Sequence, residues 1–205
     1  MATPSISFFQ LAGGILFFGC MLGIYAFSVP NTKAFSASDP LEKLQAIASN
    51  VKGWRLHSVF SVPTFFLWTI GLGVLVVGLS ETATRGLAFL ATGLSFAAGV
   101  SWSFLAAERL RIGREIENLI RNYPAEPART HQWAFPSYTT TTLLSLVAGG
   151  LAVALSGFWV GWVAAGLALI ALLVVYPLWR DLPPFVSAFL ALILAIGLLF
   201  IEGGN

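Results

Sequence analysis

The chain has 205 residues, of which 57% are apolar and 10% are charged, and its formal net charge is +2 at pH 7. Soluble domains typically contain about 45–50% apolar and about 25% charged residues, so this composition excludes a soluble enzyme, a disordered regulator and a nucleic-acid-binding protein. The single cysteine, Cys20, cannot form an internal disulfide bond or, by itself, a thiolate metal site. The composition therefore indicates an integral membrane protein.

Six apolar segments are long enough to cross a bilayer as helices, which takes about 20 residues for a hydrocarbon layer of about 30 Å. They predict an all-α integral membrane protein, a bundle of six transmembrane helices in a single domain over residues 1–205. Because only Ser156 and Gly157 separate the fourth and fifth spans, these two should form a tight antiparallel hairpin. The predicted spans are 8–29, 59–79, 86–107, 138–155, 158–178 and 185–201.

The topology follows from the distribution of basic residues. Residues 1–7 contain no Lys or Arg, which favours a retained first span over a cleaved signal peptide. Six spans then place the loops 30–58, 108–137 and 179–184 on one side, with ten basic residues against Arg85 alone on the other. The positive-inside rule predicts that the basic loops are cytoplasmic and that both termini lie outside, most simply in a bacterial inner (plasma) membrane.

Two segments on the basic side carry apolar residues at helical spacing. Asp39 and Pro40 predict the start of a short amphipathic helix that covers Leu41–Val51. The third span is predicted to continue as a helix past the membrane edge until Pro124. The apolar face of this extension needs a partner, and three remain open: the Leu41–Val51 helix, a second copy of the protein or another subunit.

The spans carry no recognisable catalytic or ion-coupling group. Every Asp, Glu, Lys and Arg falls in a predicted loop or at a helix end, whereas a coupled transporter usually holds a carboxylate near the midplane. The motifs of serine hydrolases, zinc peptidases, thiol redox proteins and P-loop nucleotidases are absent from the sequence. The sequence therefore predicts a protein that is not an enzyme.

The two histidines form one candidate cofactor site. His57 and His131 both fall on the basic side, before the second and fourth spans. Two neutral imidazoles at one membrane depth could ligate a haem iron or the magnesium of a chlorophyll-type pigment. The alternative is that both are solvated interfacial residues and that no cofactor is bound.

A run of hydroxyl residues opens the fourth span. Thr139, Thr140, Thr141 and Thr142 are consecutive, so they surround the helix and cannot all face one cavity. A threonine hydroxyl in a helix can donate a hydrogen bond to a backbone carbonyl of the preceding turn, and on this structural hypothesis the run has no further role. The functional alternative is a polar path at the inner mouth of a solute route.

Two pairs of glycines predict close helix packing. Gly19 and Gly23 lie four apart in the first span, and Gly157 and Gly161 lie four apart around the start of the fifth. Such pairs let two helix backbones approach closely in lipid. The first pair could contact another helix of the bundle or form a docking stripe for a partner.

Residues 44–50, followed by Trp54, Arg55 and Leu56 after one leading span, resemble the first loop of some uncharacterised bacterial multi-span membrane proteins. The resemblance covers the first third of the chain and implies no activity.

Three functional hypotheses follow. The first is a non-catalytic accessory, scaffolding or assembly subunit of a membrane complex. The second is a small carrier or channel for a neutral or lipidic solute that uses the threonine run. The third is a haem- or pigment-binding subunit that uses His57 and His131. Whatever the function, the expected partners of the chain are the lipid bilayer and either other membrane-protein subunits or a second copy.

Overall fold

The computed structural model describes residues 7–28, 37, 39–123, 133–179 and 184–201. All regular secondary structure within these ranges is helical, as predicted. The helices are α1 (Phe8–Ser28), α2 (Pro40–Ser49), α3 (Val51–Gly78), α4 (Thr82–Arg121), α5 (Ala134–Leu155), α6 (Trp159–Ile170), α7 (Tyr176–Trp179) and α8 (Pro184–Leu199), with a π-helical segment, Ala171–Val175, joining α6 to α7.

Five helical stretches of the described chain are long and apolar enough to cross a membrane. They are α1, α3, α4, α5 and the continuous stretch Trp159–Leu178, and they correspond to the first five predicted spans. The sixth predicted span, 185–201, is observed as the apolar helix α8 with 16 residues. At 1.5 Å per residue α8 is about 24 Å long, roughly one turn short of the hydrocarbon thickness.

Much of the predicted loops 30–58 and 108–137 is helical, as expected for the Leu41–Val51 helix and for the extension of the third span. That extension ends at Arg121, close to the predicted end at Pro124. Two bounds require correction: the helix of the second predicted span begins at Val51 rather than at 59, and that of the fourth begins at Ala134 rather than at 138. Hydropathy marks where a chain leaves the hydrocarbon layer, but a helix keeps its backbone hydrogen bonds in water and continues until a capping residue or a proline ends it.

Helix α5 lies at the centre of the bundle. In its most apolar stretch 67% of the residues are buried, against 33–39% in the other four long spans. A Cβ added at Gly149 would come within 4 Å of Leu72 on α3, Ala91 on α4 and Leu194 on α8, while Gly150 lies directly against α6. The run of small residues in α5 therefore lets four helices surround it closely.

Gly19 and Gly23 are packing residues, as predicted. A Cβ at Gly19 would lie 2.8 Å from Cδ1 of Trp68, and one at Gly23 would lie 2.9 Å from Cγ2 of Thr64. Both side chains belong to α3, so this pair forms a contact within the bundle rather than a docking stripe.

Only one glycine of the second pair, Gly161, packs against a neighbouring helix. Gly161 lies against the backbone of α5 at Ala154 and Gly150, so any side chain there would force α5 and α6 apart. Gly157 has no atom within 4 Å of an added Cβ, and its φ of 95° belongs to the turn between the two helices. The prediction that Gly157 packs against a helix is wrong, because a two-residue reversal needs the left-handed conformation that glycine adopts freely. The predicted tight hairpin is present.

Candidate functional site

The short helix α2 begins where the sequence predicts. Asp39 is its N-cap and accepts a hydrogen bond from the backbone N–H of Glu42 at 3.0 Å, with Pro40 in the first turn. Asn50 ends α2 and also caps α3 by accepting from the N–H of Gly53 at 2.9 Å. One asparagine thus forms the corner between the two helices.

Helix α2 packs on the end of α4 that extends beyond the predicted third span. The structure thus shows the intramolecular contact, one of the three partners left open by the sequence. We name α2, the first turn of α3 and residues 109–121 of α4 the basic-end cap. Its buried core consists of Leu44, Ile47, Trp54 and Ile116, with Ala46, Val51, Ile112, Leu119 and Ile120 packed around them.

Two long-range hydrogen bonds join the α3 and α4 parts of the basic-end cap. Trp54 Nε1 donates to the carbonyl of Arg109 at 2.8 Å, and Arg55 Nη2 donates to the carbonyl of Gly113 at 3.1 Å. The absence of a side chain at Gly113 leaves room for the indole, since a Cβ there would lie 3.1 Å from Cδ1 of Trp54. Together with the apolar core, these bonds tie the start of α3 to the end of α4.

The outer face of the basic-end cap is charged and exposed. An ion pair joins Arg111 and Glu115 at 3.2 Å across one turn of α4. The exposed charged side chains of the cap are Glu42, Lys43, Lys52, Arg114, Glu115, Glu117 and Arg121.

His57 lies below the cap and joins three helices. Its Nδ1 is 2.5 Å from the carbonyl of Ala26 on α1, and its Nε2 is 3.2 Å from Nη1 of Arg109 on α4. A carbonyl only accepts and a guanidinium only donates, so Nδ1 carries the proton and Nε2 accepts. His57 is therefore a neutral imidazole with both ring nitrogens engaged, and it is 2% exposed.

This geometry bears on the predicted cofactor site. Ligation of a haem or a chlorophyll-type pigment uses the lone pair of a neutral imidazole, and that lone pair on His57 accepts from Arg109. His131, the other predicted ligand, lies outside the described residues. The residues present would fit such a group only after Arg109 moved away, so the pigment hypothesis stays a prediction without geometric support.

Arg109 points from the cap toward the interior of the bundle. Its guanidinium carbon is 4.7 Å from the ring centroid of Trp102 and 5.9 Å from that of Trp54. Trp102 is fully buried, and side chains on a helix lean toward its N-terminus, which for Arg109 is the interior direction. The sequence places Arg109 on the helical extension of the third span, outside the membrane. Its position two helical turns after Trp102 is the signal that could have revealed this stacking.

A hydroxyl-rich layer lies next to Trp102. Trp102 Nε1 donates to Ser61 Oγ at 2.8 Å, and Ser61 Oγ donates to the carbonyl of Ser58 at 3.0 Å. The Tyr138 hydroxyl on α5 is 3.2 Å from Ser187 Oγ on α8, and its ring is 4.7 Å from that of Trp102. Sequence analysis missed this layer, although Ser58 and Ser61 share one face of α3.

The predicted threonine run is divided between two environments. Thr139 and Thr142 are buried, whereas Thr140 and Thr141 are partly buried. Thr141 Oγ1 donates a hydrogen bond to the carbonyl of Ser137 at 2.7 Å, as the structural hypothesis predicts. Within the described residues Thr139 Oγ1 and Thr142 Oγ1 have no hydrogen-bond partner, and neither has Thr64 Oγ1 on α3.

Comparisons with protein-family models, curated protein sequences and solved structures found no match for this chain.

Proposed function

We propose that the protein is a six-span integral membrane protein in which α8 is the sixth span. Helix α8 packs alongside α1 and α6, which supports this assignment: Gly13 of α1 meets Ala195, and Gly197 meets Val160 of α6. Arg85 lies in the first turn of α4, at the opposite end from Arg109 and the basic-end cap. We place the cap in the cytoplasm of a bacterial cell, with both chain termini outside the inner membrane.

We further propose that this protein is a non-catalytic accessory, scaffolding or assembly subunit of a membrane complex. The observation that carries the proposal is that hydrogen bonds from Trp54 and Arg55 to α4 hold the basic-end cap together. A surface held in place by buried contacts loses little conformational entropy when it binds another protein. The cap thus offers a preorganised charged surface next to the membrane.

Site-specific photo-crosslinking tests this proposal. A photoreactive phenylalanine analogue replaces Glu117 on the exposed face of the cap, and the control position is Phe89, which is 72% exposed on the side of the spans. We expect one discrete protein adduct from position 117 and none of the same mass from position 89. The accessory role is wrong if position 117 yields only lipid adducts or adducts to a second copy of the chain.

A carrier or channel for a neutral or lipidic solute is the alternative. Buried hydroxyls without a partner are costly unless they bind something, and Thr64, Thr139 and Thr142 have such hydroxyls among the described residues. Purification in mild detergent separates the two functions. A stoichiometric second protein favours the accessory role, whereas a homo-oligomer alone favours the carrier.

A further inference from the structure

A small groove opens on the side of the bundle beside His57. It has a volume of about 30 Å³ and lies between the last turns of α1 and the second and third turns of α3. Its floor is formed by Ala26 and His57, which are 1% and 2% exposed. Its walls are Tyr25, Leu56 and Phe60, which are 61%, 51% and 41% exposed.

The walls of the groove are apolar and face outward. In a bilayer this surface contacts lipid, and a tyrosine with an apolar ring and a polar hydroxyl is typical of the headgroup boundary. A cleft between two helices at this depth accommodates part of an acyl chain more closely than a smooth helix face does. The groove therefore suits the upper part of a lipid tail.

An exposed cation stands next to the groove on the side away from the membrane centre. Lys52 lies one turn before Leu56 on the same face of α3. The neighbouring Arg55 is directed to α4 instead, because its guanidinium donates to the carbonyl of Gly113. Helix α3 begins at Val51, and the partial positive charge of a helix N-terminus favours a phosphate beside Lys52.

We propose that this groove binds an anionic phospholipid, with an acyl chain between Tyr25 and Phe60 and the phosphate at Lys52. The occupant follows from the juxtaposition of an outward-facing apolar cleft with an exposed cation and a helix N-terminus at a membrane interface. This inference rests on the bundle crossing a bilayer. It is independent of whether the protein acts as an accessory subunit or as a carrier.

Native mass spectrometry of the full-length protein tests the proposal. The purified protein is titrated with phosphatidylglycerol and phosphatidylcholine that carry identical acyl chains. We expect the wild type to bind the anionic lipid at least about fivefold more tightly, since each Lys or Arg near an anionic headgroup contributes a factor of about five. Lys52→Ala should lower the affinity for phosphatidylglycerol about fivefold and leave that for phosphatidylcholine unchanged.

Arg85→Ala is the matched control, because it removes a cation from the opposite end of α4. It should leave both affinities unchanged. Phe60→Ala should weaken both lipids, because it removes a wall of the acyl cleft and no charge. The proposal is overturned if the wild type binds the two lipids equally, or if Arg85→Ala lowers phosphatidylglycerol binding as much as Lys52→Ala does.

Discussion

At the scale of single residues, His57 is the side chain whose surroundings depart most from what its sequence position suggests. It lies before the predicted second span, where histidines are usually solvated, yet it is buried and connects α1 to α4. Its Nε2 accepts a hydrogen bond from Arg109, whose guanidinium also lies over the ring of Trp102. The imidazole thus helps to hold a cation in a partly buried place.

The first prediction concerns the loss of this imidazole. His57→Ala leaves a donor of Arg109 without its acceptor, so we expect the free energy of unfolding in detergent to fall by about 2 kcal/mol. His57→Gln is the matched control, because an amide can donate to Ala26 and accept from Arg109, and it should lose less than about 1 kcal/mol. Equal losses in the two variants would show that packing, not hydrogen bonding, makes His57 important.

The second prediction concerns pigment binding. Because the Nε2 lone pair is engaged, we expect the purified wild-type protein to show no Soret or chlorophyll-type absorption that depends on His57. An absorption spectrum of the wild type and of His57→Ala checks this. A band present in the wild type and lost in the variant would contradict the tautomer assigned here and restore the cofactor hypothesis.

At the scale of helices, the contacts of α5 depend on the absence of side chains. Gly149, Gly150 and Gly161 lie where neighbouring helices touch, whereas Gly157 serves the turn. Lipid offers no hydrophobic drive for two apolar helices to associate, so close dispersion contacts between small residues must supply the attraction. The α5–α6 hairpin is therefore sensitive to single added methyl groups.

The third prediction concerns this sensitivity. Gly161→Ala places a methyl group against the backbone of α5, and such overpacking should lower the free energy of unfolding by about 1–3 kcal/mol. Gly166→Ala adds the same methyl group to α6 where no atom lies within 4 Å. That control should leave stability unchanged or raise it slightly, since alanine favours the helix. Equal destabilisation by the two substitutions would contradict the close α5–α6 contact.

The fourth prediction concerns the hydrogen bond that joins α3 to α4 within the cap. Trp54→Phe keeps an aromatic ring in the cap core but removes the N–H that donates to Arg109, which should cost about 1 kcal/mol. Hydrogen–deuterium exchange should then become faster at the amides of α2. Trp162→Phe, at a position 55% exposed on α6, is the control and should leave this exchange unchanged. Unaltered exchange in Trp54→Phe would show that the apolar core alone holds the cap.

At the scale of the whole molecule, charge is separated along the axis of the bundle. The cations of the cap lie at one end of α4 and Arg85 lies at the other, so insertion in the opposite direction would require many more charges to cross the membrane. The proposed orientation places the cap in the cytoplasm and both termini outside.

The fifth prediction concerns this orientation. In a background with Cys20→Ala, a cysteine at position 205 should react with an impermeant maleimide in intact cells. A cysteine replacing Glu117, which is exposed on the cap, should react only after the membrane is permeabilised. The reverse pattern would show that the molecule is inserted upside down, and the cytoplasmic partner proposed for the cap would be abandoned.

The sequence by itself determined the features that depend on local pattern. Long apolar runs determine where spanning helices occur, because unpaired backbone groups cannot remain in hydrocarbon. Asp39 and Pro40 determine the start of α2, because capping involves only neighbouring residues. The apolar stripes of α2 and of the end of α4 each showed the need for a partner.

Only the tertiary structure decided which of these patterns meet. It paired α2 with α4, turned Arg109 inward onto Trp102, and engaged both nitrogens of His57, which lies 31 and 52 residues from its partners in sequence. It also separated Gly157 from Gly161, since one serves a turn and the other a helix contact. The physical reason is that the role of a histidine or a glycine depends on which atoms of distant segments surround it. Spacing along the chain does not specify those atoms.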